Sequence, residues 1–197
     1  TNNGTLKMTG TSSASDPKGQ KEWFENATIT FTDNSTVEYY GNTPATSNIW
    51  AGPYENLKVS GTRQNLRALS ITVNKDFTVA SASFAQAAGT FIFNGSSTIG
   101  GTGTISFNNL TVASSKSVTL NKDITVNGAF INSNGATFNA NGKDIIFNGD
   151  FTNNSIFTPG SNTVTFNGSS TIGGSGAISF NNLSVASGKS VTLNKDI

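Results

Sequence analysis

An internal duplication constrains the fold of this 197-residue chain more than any other feature. Residues 93–124 and 166–197 are identical at 28 of 32 positions at an offset of 73, and the four differences exchange one small residue for another. Such a period is typical of repeat proteins, in which each unit buries its apolar face against the next unit. The duplication therefore predicts a stack of similar units.

A shorter element recurs along the chain, in which two apolar residues flank any residue and asparagine follows, as in Ile71-Thr-Val-Asn74 and Val191-Thr-Leu-Asn194. Apolar residues at i and i+2 lie on one face of a strand. Strands this short cannot bury a face alone, but they can when they are wound into coils that pair with the coil below. We predict an all-β, right-handed parallel β-helix of about eight coils of about 24 residues, three to each 73-residue period.

The same pattern predicts which residues of each unit face the interior and which lie at the corners between strands. Phenylalanines at the apolar positions are predicted to stack in the interior, namely Phe93, Phe107, Phe138, Phe147, Phe166 and Phe180. Asparagines that follow the strands are predicted to occupy corners, where they tolerate left-handed backbone and form side-chain ladders, namely Asn108, Asn121, Asn148, Asn167, Asn181 and Asn194.

Composition excludes several kinds of chemistry. The chain has no cysteine and no histidine, which removes thiolate chemistry and the commonest general base and zinc ligand. Its glycine runs, such as Gly100-Gly-Thr-Gly103, lack the aspartate of calcium-binding β-rolls and instead predict tight turns with positive φ. The acidic residues are scattered, so we expect no catalytic site, no metal and no cofactor.

The charge balance bears on partners. A formal net charge of +1 with 12% charged residues gives no electrostatic reason to expect nucleic acid or an anionic membrane as partner. No apolar run approaches the roughly 18 residues of a transmembrane helix, so no direct membrane insertion is expected. The partners we expect are neighbouring repeats of a longer parent chain, a second copy bound end to end, or a surface glycan.

The two parts of the chain differ in detail. Residues 1–80 are predicted to be solenoid coils with longer loops at 11–22 and 41–54, and residues 81–197 to be regular repeats of a fragment from a longer chain. All tyrosines and tryptophans lie in the first part, namely Trp23, Tyr39, Tyr40, Trp50 and Tyr54. Exposed rings could stack against sugar faces, whereas buried rings would cap the core. We keep both interpretations.

Three stretches carry a family resemblance, namely Thr36-Val-Glu-Tyr-Tyr-Gly41, Trp50-Ala-Gly-Pro-Tyr-Glu-Asn-Leu-Lys-Val-Ser-Gly61 and Leu69-Ser-Ile-Thr-Val-Asn-Lys-Asp-Phe-Thr-Val79. They resemble a repeat of giant surface proteins in Bacteroidetes, and 107–112 and 123–126 look like the same units. The resemblance implies export through the outer membrane, commonly by type IX secretion, and display on the cell surface, where such proteins include adhesins.

Together these observations predict a non-catalytic structural or adhesive stalk segment, located outside the cell or on the bacterial outer surface. One alternative is a carbohydrate-binding adhesin module that uses the aromatic residues. Further alternatives are a filament-forming subunit, an ice-binding face built on Thr-x-Thr pairs such as Thr163 and Thr165, and a polysaccharide-active β-helix enzyme.

Overall fold

The computed structural model is a right-handed parallel β-helix of about seven turns, which confirms the predicted fold class but not the predicted number of about eight coils. It describes residues 4–9, 33–40, 49, 52–61, 63–66, 70–80 and 83–195. Every strand pair in this part of the chain is parallel and joins a strand to the coil above or below it. Each full coil has three sides, so the strands assemble into three sheets around one interior.

The strands are numbered in chain order, and from β3 to β20 successive strands visit the first, second and third sheets in turn. The first sheet holds β1 (Thr5–Thr9), β2 (Thr36–Tyr40), β3 (Asn56–Val59), β6 (Phe77–Val79), β9 (Ser96–Gly101), β12 (Ser117–Leu120), β15 (Thr137–Asn139) and β18 (Ile156–Thr158). The second sheet holds β4 (Arg63–Leu66), β7 (Ser83–Gln86), β10 (Thr104–Phe107), β13 (Ile124–Val126), β16 (Ile145–Phe147), β19 (Thr163–Phe166) and β21 (Asn182–Val185). The third sheet holds β5 (Ile71–Val73), β8 (Thr90–Phe93), β11 (Asn109–Val112), β14 (Phe130–Asn132), β17 (Phe151–Asn153), β20 (Ser170–Gly173) and β22 (Val191–Leu193).

Each side of a coil buries alternate residues. In β12, for example, Val118 and Leu120 are fully buried, whereas Thr119 between them faces outward and is partly exposed. This is the period-two pattern that the sequence showed, and it turns alternate side chains, most of them apolar, into the interior. The interior is therefore filled by short strands from all three sheets.

The predicted coil length is wrong, because the coils are shorter than expected. Paired residues in successive coils are 19 to 22 positions apart, from Thr137 with Ile156 to Phe77 with Ile99. One step is longer, because Thr5 of β1 pairs with Thr36 of β2, a separation of 36 − 5 = 31. Three-to-six-residue strands joined by short corners need only about 20 residues to close a three-sided coil.

The duplicated segments occupy different sheets. Ser97 and Ile99 lie in β9 of the first sheet, whereas their counterparts Ser170 and Ile172 lie in β20 of the third sheet. From β9 to β20 the chain makes 20 − 9 = 11 sides, which is three and two-thirds coils and not the predicted three. The three sides are interchangeable because each turns alternate, mostly apolar residues inward, so a repeat need not span a whole number of coils.

The predicted core phenylalanines lie in the interior. Phe93, Phe107, Phe138, Phe147 and Phe166 have no exposed surface, and Phe180 is partly buried in the last described coil. Their rings pack with further phenylalanines at centroid distances such as 4.9 Å for Phe91 with Phe107, within the range of favourable aromatic pairs.

Candidate functional site

The five aromatic residues predicted as a glycan platform do not form one surface in the described part of the chain. Tyr39 and Tyr54 have no exposed surface, and Tyr40 is 41% exposed. Trp23 and Trp50 lie outside the described residues. A sugar face can stack only on an accessible ring, so Tyr39 and Tyr54 are corrected from candidate glycan contacts to core residues.

The two buried tyrosines pack as a pair. Their rings meet edge to face with centroids 6.4 Å apart, and the two hydroxyl oxygens are 3.0 Å apart and share a hydrogen bond. Burial, and the neighbouring Tyr39, raise the pKa of Tyr54 well above its usual value. The pair therefore remains neutral and satisfies two hydroxyl groups within an otherwise apolar interior.

Charges on the first sheet form a column centred on Glu38. Its carboxylate accepts a 2.5 Å hydrogen bond from the Ser60 hydroxyl and lies 3.0 Å from Lys58 Nζ and 3.8 Å from Lys7 Nζ. The hydrogen bond from Ser60, followed by that from Lys58, lowers the pKa of Glu38 against the opposing effect of burial. Glu38 thus joins three successive coils, through β1, β2 and β3.

Replacing Glu38 by glutamine is expected to remove one contribution to stability that depends on pH. Because the pKa of Glu38 is lowered in the folded state, its contribution is fully present above the unfolded pKa, about 4.3, and is lost as pH falls through the folded pKa. The free energy of unfolding of wild type and Glu38→Gln, measured from neutral to acid pH, should therefore converge in acid. A constant difference across that range would contradict the prediction.

The corner asparagines form side-chain ladders along the axis. The longest runs between the second and third sheets, where Asn148 Nδ2 donates to Asn127 Oδ1 at 2.8 Å and Asn167 Nδ2 donates to Asn148 Oδ1 at 3.0 Å. At another corner, Asn141 Nδ2 lies 3.3 Å from Asn121 Oδ1. The three remaining predicted corner residues also flank strands: the side chains of Asn108 and Asn181 donate to backbone carbonyls, and the backbone amide of Asn194 donates to the carbonyl of Ile172.

The reason predicted for asparagine at corners is wrong for the ladder residues. Among the described asparagines, positive φ is found at Asn34 and Asn141, so most ladder members have ordinary backbone. The ladder uses their ability to donate and accept with the same side chain. The predicted glycine turns do have positive φ, at Gly101 (110°) and Gly174 (107°).

Two asparagines lie inside the helix, which the sequence analysis missed. Asn132 and Asn153 have no exposed surface and occupy inward positions of β14 and β17. Asn132 Nδ2 donates to Asn153 Oδ1 at 2.7 Å and to the carbonyl of Ile156 at 2.8 Å, and Asn153 Nδ2 donates to the carbonyl of Ala177 at 2.8 Å. Asparagine at the second inward position, as in Phe130-Ile-Asn132, was the available signal.

The aspartates of the regular repeats bond the backbone of the next coil. Asp123 Oδ1 accepts the amide of Asp144 at 3.0 Å, Asp144 Oδ1 accepts that of Thr163 at 2.8 Å, and Asp150 Oδ1 accepts that of Thr171 at 2.8 Å. Each carboxylate thus satisfies a donor where a strand begins. This arrangement joins successive coils.

The described residues contain no group of three or more histidine, cysteine, aspartate or glutamate side chains placed to hold a metal ion. In this same part of the chain, no helix has the length and apolarity needed to cross a bilayer. Comparisons with protein-family models, curated proteins and solved structures find no match to the chain.

Proposed function

We propose that this chain is a non-catalytic stalk segment of a secreted or surface-displayed repetitive protein. Its role is to provide a stiff length of solenoid. Any adhesive surface would lie elsewhere on the parent chain or on the N-terminal coils of residues 1–80, which are predicted to carry longer loops. The proposal rests on the positions of the two duplicated segments in the fold. Both copies keep the pattern of interior residues and the pairing between coils, but corresponding strands lie on different sides of the solenoid.

The change of face is the observation that carries the proposal. Residues 93–124 begin on the third sheet and place β9 on the first, whereas residues 166–197 begin on the second sheet and place β20 on the third. The outward residue Thr98 and its counterpart Thr171 therefore point to different sides of the rod. Duplication in this chain increases length and leaves no repeated outward surface on one side.

A partner with a flat, ordered surface would need the opposite arrangement. Ice or a crystalline polysaccharide meets one face of a solenoid, so recognition residues must recur on that face coil after coil. The predicted ice-binding pair Thr163 and Thr165 lies in β19 of the second sheet, where the neighbouring positions on the preceding coil are Asp144 and Ile146. These changes along one face favour a spacer over a lattice-binding surface.

The partner interaction that we propose is the stacking of coil on coil, either with a neighbouring repeat of a parent chain or, in a filament, with a second copy bound end to end. It is supported by the first copy of the duplicated segment, in which Leu110, Val112 and Leu120 are fully buried under β14 and β15.

The location outside the cell is part of the proposal. It is supported by the resemblance of 36–41, 50–61 and 69–79 to a repeat of giant Bacteroidetes surface proteins, which implies outer-membrane export, commonly by type IX secretion. It is also consistent with the way the fold is stabilised, since buried phenylalanines and inter-coil ladders replace the disulfides that many secreted domains use.

Small-angle scattering on a lengthened chain tests the stalk role. A second copy of residues 125–197 is joined after Ile197, where the repeat is in phase, and extends the chain by one full period. With coils about 4.8 Å apart, eleven added sides should lengthen the rod by about 18 Å at constant cross-section. A chain of equal length with the added segment in scrambled order is the control. A wider or more compact particle from the in-phase copy would overturn the proposal.

A further inference from the structure

Six Asn-Gly pairs lie in the described part of the chain, and this pair is the most reactive context for an asparagine amide. Glycine has no Cβ, so its backbone nitrogen can approach the preceding side chain without hindrance. The pairs begin at Asn94, Asn127, Asn134, Asn141, Asn148 and Asn167. Their surroundings differ, and the difference separates one pair from the other five.

Five of the six asparagine amides are held by hydrogen bonds to the neighbouring coil. Asn127 Nδ2 donates to Ser106 Oγ at 2.9 Å, and Asn148 and Asn167 follow it in the ladder. Asn141 Nδ2 donates to the carbonyl of Leu120 at 3.1 Å, and Asn94 Nδ2 donates to Asn74 Oδ1 at 3.4 Å. Such bonds fix the rotamer of the side chain and oppose its rotation toward the backbone.

The glycines of several of these pairs are also held. The amide of Gly128 donates to the carbonyl of Asn108 at 2.7 Å, and that of Gly142 donates to the carbonyl of Pro159 at 3.2 Å. Gly95 and Gly168 lie so close to the preceding coil that a Cβ on them would come within 1.7 and 1.9 Å of a backbone carbonyl oxygen. Their peptide groups therefore have little room to rotate.

Asn134 lies in the exposed turn between β14 and β15, and its side chain makes no hydrogen bond with the residues that the structure describes. Its backbone carbonyl accepts the amide of Ser115 at 3.2 Å, so one inter-coil bond holds the Asn134–Gly135 peptide group, whereas none in the described part of the chain holds the side-chain amide. A Cβ on Gly135 would lie 3.0 Å from the hydroxyl of Ser115, a less crowded position than those of Gly95 and Gly168.

Exposure does not explain this difference, since Asn94, Asn127, Asn141 and Asn167 are exposed as well. We propose that Asn134 is a site of spontaneous covalent modification, at which the amide becomes aspartate and isoaspartate, and that the inter-coil hydrogen bonds protect the other five pairs.

The reaction needs only water as co-reactant. The Gly135 nitrogen attacks Cγ of Asn134 and forms a C–N bond, the Cγ–Nδ2 bond breaks, and the amide nitrogen leaves as ammonia with the proton from Gly135. Water then opens the five-membered imide. Cleavage of the new bond gives aspartate, whereas cleavage of the original main-chain bond gives isoaspartate, with the backbone routed through the side chain.

Modification changes both the charge and the geometry of this corner. One carboxylate lowers the formal net charge from +1 to +1 − 1 = 0. Isoaspartate also inserts a carbon into the turn that joins the third sheet to the first, next to the inter-coil bond from Ser115. The fraction of chains converted at Asn134 would therefore increase with the time that the chain has spent folded.

Peptide mapping of the folded chain after incubation at mildly alkaline pH tests the proposal, because all six pairs are measured in one sample. Electron-based fragmentation distinguishes aspartate from isoaspartate. The peptide containing Asn134 is expected to convert about tenfold faster than each of the other five, which corresponds to about 1.4 kcal/mol of barrier. In denaturant the six rates should become similar, because the protecting contacts are lost.

A folded-state rate at Asn134 that equals or falls below that of any ladder asparagine would overturn the proposal, as would an unchanged ranking in denaturant. The Asn148→Ala variant gives a second test, since it removes the acceptor of Asn167 and one bond to Asn127. Conversion should rise several-fold at Asn167, rise less at Asn127, whose amide keeps its bond to Ser106, and stay constant at Asn94 and Asn134. No rise, or an equal rise at Asn94, would contradict the protective role of the ladder.

Discussion

Replacement of Gly95 by alanine is expected to lower the free energy of unfolding by about 3 kcal/mol or more. The added Cβ would lie 1.7 Å from the carbonyl oxygen of Asn74 in the preceding coil. That oxygen belongs to the backbone and cannot move as a flexible side chain could. Relief requires the two coils to separate at this corner, where the amide of Asn94 donates to the carbonyl of Val73 at 2.8 Å. Denaturant unfolding with linear extrapolation measures the loss.

Gly100→Ala is the matched control for this prediction. Gly100 is buried in the neighbouring strand β9, and a Cβ there meets its nearest heavy atom, Asn121 Cβ, at an ordinary 3.5 Å. Neither Gly95 nor Gly100 has positive φ, so the comparison isolates the close approach of the coils from backbone strain. The control should change stability by less than about 1 kcal/mol in either direction. Equal losses in the two variants would refute the steric explanation.

This glycine illustrates a feature that a single sequence does not reveal. The recurring Asn-Gly step was visible, but a sequence contains no distance between one coil and the next. Gly168 repeats the arrangement, with a Cβ position 1.9 Å from the carbonyl oxygen of Asn148. Only the stacking of coils shows that the glycine is required for space.

The interior was predictable because it depends on local alternation. Any strand with apolar residues at i and i+2 must turn them to the same side, which is why Phe138 and Phe147 could be assigned to the core. The same reasoning applied to β2 would have placed Tyr39 beside Val37 in the interior and left Glu38 and Tyr40 outside. Treating the tyrosines as one aromatic group concealed this alternation.

The number of coils was less predictable, since it depends on how many sides the repeat spans. All three sides of a coil accept the same alternating pattern. The 73-residue repeat period could therefore contain nine longer sides or eleven shorter ones. The register of strands decides between them, because the pairing of Ile99 with Leu120 and of Phe151 with Ile172 requires the shorter coil. This interchangeability of sides also lets one duplicated segment fold on two different sets of faces.

Replacement of Phe107 by alanine is expected to lower the free energy of unfolding by about 3–5 kcal/mol. Phe107 has no exposed surface, and its ring lies 4.9 Å from that of Phe91 and 5.9 Å from those of Phe77 and Phe84. These neighbours belong to strands of all three sheets, which are held by parallel pairing above and below. They cannot close around the vacated volume, so the cavity term adds to the lost transfer free energy.

The duplication supplies the control, because Phe180 occupies the same repeat position as Phe107 in an identical local sequence, Ile-Ser-Phe-Asn-Asn-Leu. Phe180 contacts three phenylalanine rings but is partly buried in the last described coil. Since less of its surface leaves water on folding, Phe180→Ala should cost about 1–2 kcal/mol. Denaturant unfolding measures the loss of stability in each variant. Because the local sequence around the two phenylalanines is identical, a difference between the losses reports the effect of position in the stack. Equal losses would show that local sequence, and not the covering coil, determines what each phenylalanine contributes.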